Sequence, residues 1–239
     1  MTHTTADWTQ RFLSEAPMQE HSLSTSNQDA REAIWAALEG FERGAVLRVV
    51  QDFLRDGASR ADLYVDVLQP LLYDLGDRWE RSEISVAFEH YVTGVMLDVL
   101  ARWSVVSRVE LTSNTLVGAC VEGETHTLGL RMTCDVVEAE GWTVHYLGAD
   151  VPTVDLLTEV AIMRPSAVLL SVTQPASILK LSTLIAALRT EYPELAIVVG
   201  GQAINRTESL WRELGADAHA TDARTTLAAL RSIKRLQRG

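Results

Sequence analysis

From Asp29 to about Arg108 the apolar residues return every three or four positions. The sets are Ile34, Leu38 and Phe41; Val46, Val49, Val50, Phe53 and Leu54; Leu63, Val67, Leu71 and Leu75; and Ile84, Phe88, Tyr91, Val92, Val95, Val99 and Trp103. That period lines one face of a helix, four times over. Turn-forming residues separate the sets at Gly40 to Gly44, at Asp56-Gly57-Ala58-Ser59 and at Arg81-Ser82-Glu83. Residues 29–108 therefore read as a four-helix bundle. Pro70 falls inside the third set, where its missing N–H predicts a kink or an offset start. Residues 1–28 show no sustained period and include the polar stretch SLSTSNQ, so they read as a flexible arm. Within it Trp8, Phe12 and Leu13 are spaced for one short amphipathic turn.

Beyond about Leu111 the period changes. Short β-rich runs at Thr115 to Val121, Thr143 to Leu147, Ala167 to Ser171, Ala196 to Val199 and Ala216 to His219 alternate with helical stretches near 127–140, 153–163, 177–190, 204–213 and 223–236. Strict alternation of strand and helix over residues 112–239 predicts a doubly wound, five-stranded parallel sheet, flavodoxin-like and of Rossmann type. Such sheets bind ligands beyond the carboxyl ends of their strands, where strand order reverses. Chemistry is therefore expected after the first, third and fourth runs.

Composition narrows the classes. Of 239 residues, 47% are hydrophobic, 22% charged and 6% aromatic, which is the make-up of an ordinary globular protein. No apolar run approaches the roughly 20 residues of a membrane helix, and the start MTHTTADWTQR lacks the order of a signal peptide, so a cytoplasmic protein with no membrane partner is expected. Cys120 and Cys134 have no zinc-ligand spacing and are too few for a disulfide framework. A formal net charge of −11 opposes a phosphate backbone, so no direct DNA binding is expected.

The strand ends carry the candidate chemistry. After the first run stands Glu124-Thr125-His126-Thr127-Leu128-Gly129, after the third Ser171-Val172-Thr173, and after the fourth Gly200-Gly201. A histidine in the crevice can bind a metal through one ring nitrogen while a carboxylate two residues away holds the other. Paired glycines let a long group lie against the backbone, and the Ser171 and Thr173 hydroxyls could hydrogen-bond it. No Lys-Ser/Thr follows Gly200-Gly201, which excludes a nucleotide P-loop. His145 and His219 fall in or beside strands and read as packing or strand-end residues.

Glu-x-His-x-x-Gly, Ser-x-Thr and Gly-Gly, at this spacing, resemble the cobalamin-binding signature, with Glu124 where Asp is usual. The resemblance implies a corrinoid whose cobalt takes His126 as its lower ligand. Its dimethylbenzimidazole tail would be displaced from the metal and threaded past Ser171, Val172, Thr173, Gly200 and Gly201. Leu147-Gly148-Ala149-Asp150-Val151-Pro152 is similar to the family's loop after the second strand. In the bundle, Trp79 is followed by nine residues and then Glu89-His90, a pattern similar to light-sensing regulators of the CarH type. By that resemblance the bundle caps the upper corrin face, Trp79 fills the pocket of the adenosyl group, and Glu89 and His90 contact that group or the corrin rim. Glu80 stands where the best-known members carry a histidine that can ligate cobalt after illumination.

The resemblance covers residues 29–239 and leaves out the winged-helix segment of CarH-type repressors, since the 28-residue arm is short and not basic. It implies a sensor module, not an enzyme, that binds adenosylcobalamin and switches a homo-oligomer or a downstream regulatory protein when light breaks the cobalt–carbon bond. Photocobilins resemble such sensors and add a bilin, so biliverdin is carried as a second cofactor. The alternative is the corrinoid methyl-carrier subunit of a methyltransferase system, which joins a similar bundle to a similar α/β domain.

Overall fold

The computed structural model describes residues 26–103, 113–206 and 209–236. The amphipathic turn expected at Trp8, Phe12 and Leu13 lies outside them. Four helices come first. α1 (Asn27–Glu39) is opened by a capping box between Ser26 and Asp29, and α2 spans Arg43–Arg55. α3 begins with a second capping box, Ser59 with Asp62, and runs through Arg60–Asp62, a π-helical segment Leu63–Leu68 and Gln69–Glu80; α4 spans Val86–Trp103.

The expected disturbance at Pro70 is that π segment, which ends two residues before the proline. Pro70 cannot donate to the carbonyl four residues earlier, at Asp66. That oxygen accepts a hydrogen bond from Arg31 Nη1 at 3.4 Å instead. Past the wider turn the chain continues directly into the helical turns of Gln69–Glu80.

The second half is the alternating sheet. β1 (Thr115–Val121), α5 (Leu128–Ala139), β2 (Thr143–Val151), α6 (Thr153–Met163), β3 (Ala167–Ser171), α7 (Ile178–Glu191), β4 (Ala196–Gly200), β5 (Ala218–Ala220) and α10 (Ala223–Leu236) follow the expected order. Three elements differ. β5 starts two residues later than the expected Ala216 and ends at Ala220. β2 continues four residues past Leu147, because Gly148, at φ 84°, absorbs a shift in register and lets Val151 pair with Val121. The helix expected over 204–213 is two short pieces, α8 (Gln202–Asn205) and α9 (Leu210–Glu213). Asn205 ends the first piece and Ser209 precedes the second, residue types that compete with the helix for backbone groups.

All strand pairs are parallel, in the order β2-β1-β3-β4-β5. The order reverses between β1 and β3, so the binding crevice is dictated there. One sheet face packs on α6 and α7 through Val117, Val168, Leu170, Leu181 and Ile197. On the other face, a single apolar core runs from Leu116, Leu169 and Val198 through Leu130 and Val137 of α5 into Leu38, Val67 and Val99 of the bundle. The buried Tyr64 hydroxyl, on the π segment, reaches Asp135 of α5 at 3.5 Å. Arg224 of α10 pairs with Asp62 and Asp66 of α3 at 2.5 and 2.7 Å.

Helix α5 comes close to the sheet at Gly118 in β1, where a Cβ would lie 2.6 Å from Cys134 Sγ. Gly118→Ala is expected to cost about 1–3 kcal/mol by overpacking. Adding Cys134→Ala, which removes the blocking atom, is expected to restore at least half of the loss in urea unfolding.

Candidate functional site

The site starts from a turn at the end of β1. Val121 accepts from the N–H of Glu124 at 2.9 Å, and Gly123 between them takes φ 81°, the left-handed position of a type II turn. The loop after β2 clasps this turn: Asp150 Oδ1 accepts from Gly123 N–H at 2.6 Å, and Asp150 N–H donates to the Glu124 carbonyl at 2.9 Å. The resulting path turns the Glu124 side chain inward, where it is fully buried.

Glu124 is saturated there. Its Oε1 accepts from His126 N–H at 2.9 Å and from His126 Nδ1 at 2.6 Å, while Oε2 accepts from the N–H groups of Thr173 and Gln174, both at 2.8 Å. Burial alone would raise its pKa, but the hydrogen bonds from the His126 ring, from the His126 N–H and from the N–H groups of Gln174 and Thr173 outweigh it. They hold the carboxyl at about 2. The extra methylene relative to Asp is thus accommodated, and the carboxylate reaches the histidine. In turn the Glu124 hydrogen bond raises the His126 pKa against its burial. With Nδ1 spoken for, Nε2 is the ring nitrogen left for a ligand, on a half-exposed side chain. Cys120 Sγ, 3.6 Å from the His126 carbonyl, braces the same loop; burial pushes that thiol up to about 12, so it is not a nucleophile.

The bundle and the strand ends enclose a cavity of about 790 Å³. Its floor holds Thr125, His126, Thr127, Leu128 and Gly129 from the β1 loop, Ser171 and Thr173 from the β3 end, and Gly200 and Gly201 from the β4 end. Its roof holds Trp79, Glu89 and His90. Trp79 is 44% exposed, so it is a cavity residue and not a core aromatic. Glu89 Oε2 meets His90 Nδ1 at 2.6 Å, and Glu89 Oε1 accepts from Thr93 Oγ1 at 2.8 Å. The residues singled out in two distant stretches of chain thus share one space.

The structure adds detail at two of these positions. The Val172 side chain does not line the cavity: it is fully buried in the core on the α6 and α7 face, because the chain continues the inward alternation of β3 for one more residue. The glycine pair is demanded by neighbouring backbone as much as by an open slot. A Cβ on Gly200 would lie 2.8 Å from the Ala220 carbonyl oxygen, and one on Gly201, at φ 100°, 2.3 Å from that of Val172. Open space lies instead over Gly76 and Gly129, where an added Cβ would meet nothing within 4 Å.

These residues fit a corrinoid. Among the described residues no three His, Cys, Asp or Glu side chains converge as a metal-binding group, so a metal at His126 must arrive with most of its ligands. A corrin brings cobalt with four equatorial nitrogens and leaves an axial position that one pinned imidazole can fill. The cavity is also lined by Gln69, Tyr73 and Thr221, which the sequence did not single out. Gln69 Nε2 donates to the Thr221 carbonyl at 3.0 Å, and Tyr73 Oη accepts from Asn205 Nδ2 at 3.3 Å, joining α3 to the far strand ends. No motif spacing marks such pairs, since their partners lie more than 130 residues apart.

Removing the buried acceptor leaves the N–H groups of His126, Thr173 and Gln174 and the imidazole without it. Glu124→Ala is expected to lower the unfolding free energy by about 2–4 kcal/mol. Glu124→Asp, which keeps the charge, is expected to lose less than half as much in the same denaturant titration.

Two family models, each described as a B12 binding domain, match residues 30–103 and 114–231. The transcriptional repressor CarH of Myxococcus xanthus is 30% identical over 77% of this chain, and the alignment spans 61% of that protein's length. Monomethylamine corrinoid protein 2 of Methanosarcina acetivorans is 26% identical over 83% of this chain and 94% of its own. The structure of the Methanosarcina barkeri monomethylamine corrinoid protein superposes with a TM-score of 0.72 at 20% identity, covering 87% of this chain and 99% of that one, and shows the same fold. Helical bundle and parallel sheet each match a B12 binding domain, and the chain that joins them is a cobalamin-binding protein.

Proposed function

We propose that the protein is a cytoplasmic, cobalamin-dependent light sensor that binds adenosylcobalamin with His126 on the cobalt and does not itself catalyse a reaction. The observation that carries this reading is the meeting of Trp79, Glu89 and His90 with His126 in one cavity. When bound, adenosylcobalamin supplies a cobalt–carbon bond that light breaks. Glu124 holds the imidazole through the 2.6 Å contact at Nδ1, leaving Nε2 as the nitrogen that would hold the metal. Trp79, Glu89 and His90 would supply the wall facing an adenosyl group. Its presence or absence there is the differential contact that a two-state switch needs.

The bundle reports that difference through its seams with the sheet, Gln69 to Thr221 and Arg224 to Asp62 and Asp66. An altered seam changes the surface offered to a second copy or to a downstream regulatory protein. Biliverdin is a second chromophore of this reading, extending the response towards red light. A methyl-carrier role is the second reading, favoured by the identity that spans 94% of monomethylamine corrinoid protein 2. In that role the upper face must open to partner enzymes.

Absorption spectra of the protein loaded with adenosylcobalamin, with and without biliverdin, in darkness and after illumination, separate these readings. The sensor reading expects a histidine-ligated spectrum that converts in light, lost in His126→Ala, and a conversion altered in Trp79→Ala. Glu124→Ala is expected to weaken cobalamin binding about 10–100-fold. A light-stable complex with preference for methylcobalamin selects the carrier.

A further inference from the structure

The charges around the cavity are unevenly placed. Glu80, Glu89 and Asp222 line it as carboxylates, and Arg206 is the one Lys or Arg among its described lining residues. Arg206 closes the short helix α8 that starts at Gly201, so it stands on the strand-end wall beside the glycine pair. The stem of α8 is fixed: Asn205 meets His219 Nε2 at 2.7 Å and donates to the Thr221 carbonyl at 3.4 Å. The Arg206 guanidinium is held loosely by comparison, 3.9 Å from Asp77 Oδ1 on α3 with its side chain 53% exposed. A half-exposed planar cation on a hydrogen-bonded base, with its carboxylate partner at the edge of ion-pair distance, has the features of a group that waits for an anion.

Cobalamin carries one ionised anion at neutral pH, the phosphodiester of its nucleotide loop, balanced by the positive charge of its cobalt–corrin centre. Taking that phosphodiester out of water without a counter-charge is costly. We propose that Arg206 is the specificity residue for this phosphodiester, exchanging its loose contact with Asp77 for a charge-assisted pair with the ligand. The proposal rests on cobalamin binding and not on light sensing. It makes the protein selective for complete corrinoids over those without a nucleotide loop.

The test compares adenosylcobalamin with adenosylcobinamide, which keeps the corrin and the adenosyl group but lacks the phosphodiester and the nucleotide. Affinities are measured in the dark, by absorbance titration of the full chain. Arg206→Ala is expected to weaken adenosylcobalamin about tenfold and adenosylcobinamide less than about twofold, with the difference shrinking as salt is raised. Arg206→Lys is expected to fall between wild type and Arg206→Ala, and Asp77→Asn to leave adenosylcobalamin binding undiminished. Equal weakening of both ligands, no weakening of either, or reproduction of the loss by Asp77→Asn would overturn the proposal in favour of a structural contact. Wild-type protein that binds neither ligand would instead overturn the cobalamin reading itself.

Discussion

One buried carboxylate holds the site together. Glu124 ends the turn after β1, yet the hydrogens it accepts come from its own loop and from the start of the segment after β3. It therefore fixes the spacing of the two strands between which the sheet order reverses, at the level where a ligand enters. An ionised group is tolerable there only because every oxygen is doubly satisfied. The orientation of His126 follows from the same bonds. Structural integrity of the crevice and alignment of the metal ligand are thus a single arrangement, and neither can be altered by itself at this position.

Much of this was legible in the order of residues. A period near 3.6 in the first half and strand–helix alternation in the second gave the layers, because burial of one face is what produces those periods. The motif residues were legible too, since strand ends in a parallel sheet converge on one edge, and sequence spacing sets which residues stand there. The contacts that cross between the halves were not. Gln69 with Thr221 and Arg224 with Asp62 depend on how two separately patterned surfaces dock, and their side chains are of types found on any solvated face.

Two positions answer to the sheet as well as to a ligand. Val172 fills the far core, and Gly201 gives way to the carbonyl of Val172 itself. A backbone requirement and a ligand requirement leave the same letter in the sequence when the residue is glycine. Only the distance from a hypothetical Cβ to its nearest neighbour separates them. The roles of the Thr173 and Gln174 amides were invisible for a simpler reason: every residue other than proline has an N–H.

The π-helical segment in α3 has a consequence for the angular phase of that helix. An α-helix advances about 100° per residue, so one residue of slack in a turn rotates everything beyond it by about that angle. Tyr64, within the segment, reaches Asp135 with its hydroxyl and still lines the cavity that Trp79, fifteen residues on, also lines. A regular helix through the same two ends would carry one of these side chains well away from its place. The irregularity before Pro70 therefore works as a fixed twist, which keeps side chains from both ends of one rod on the same chamber.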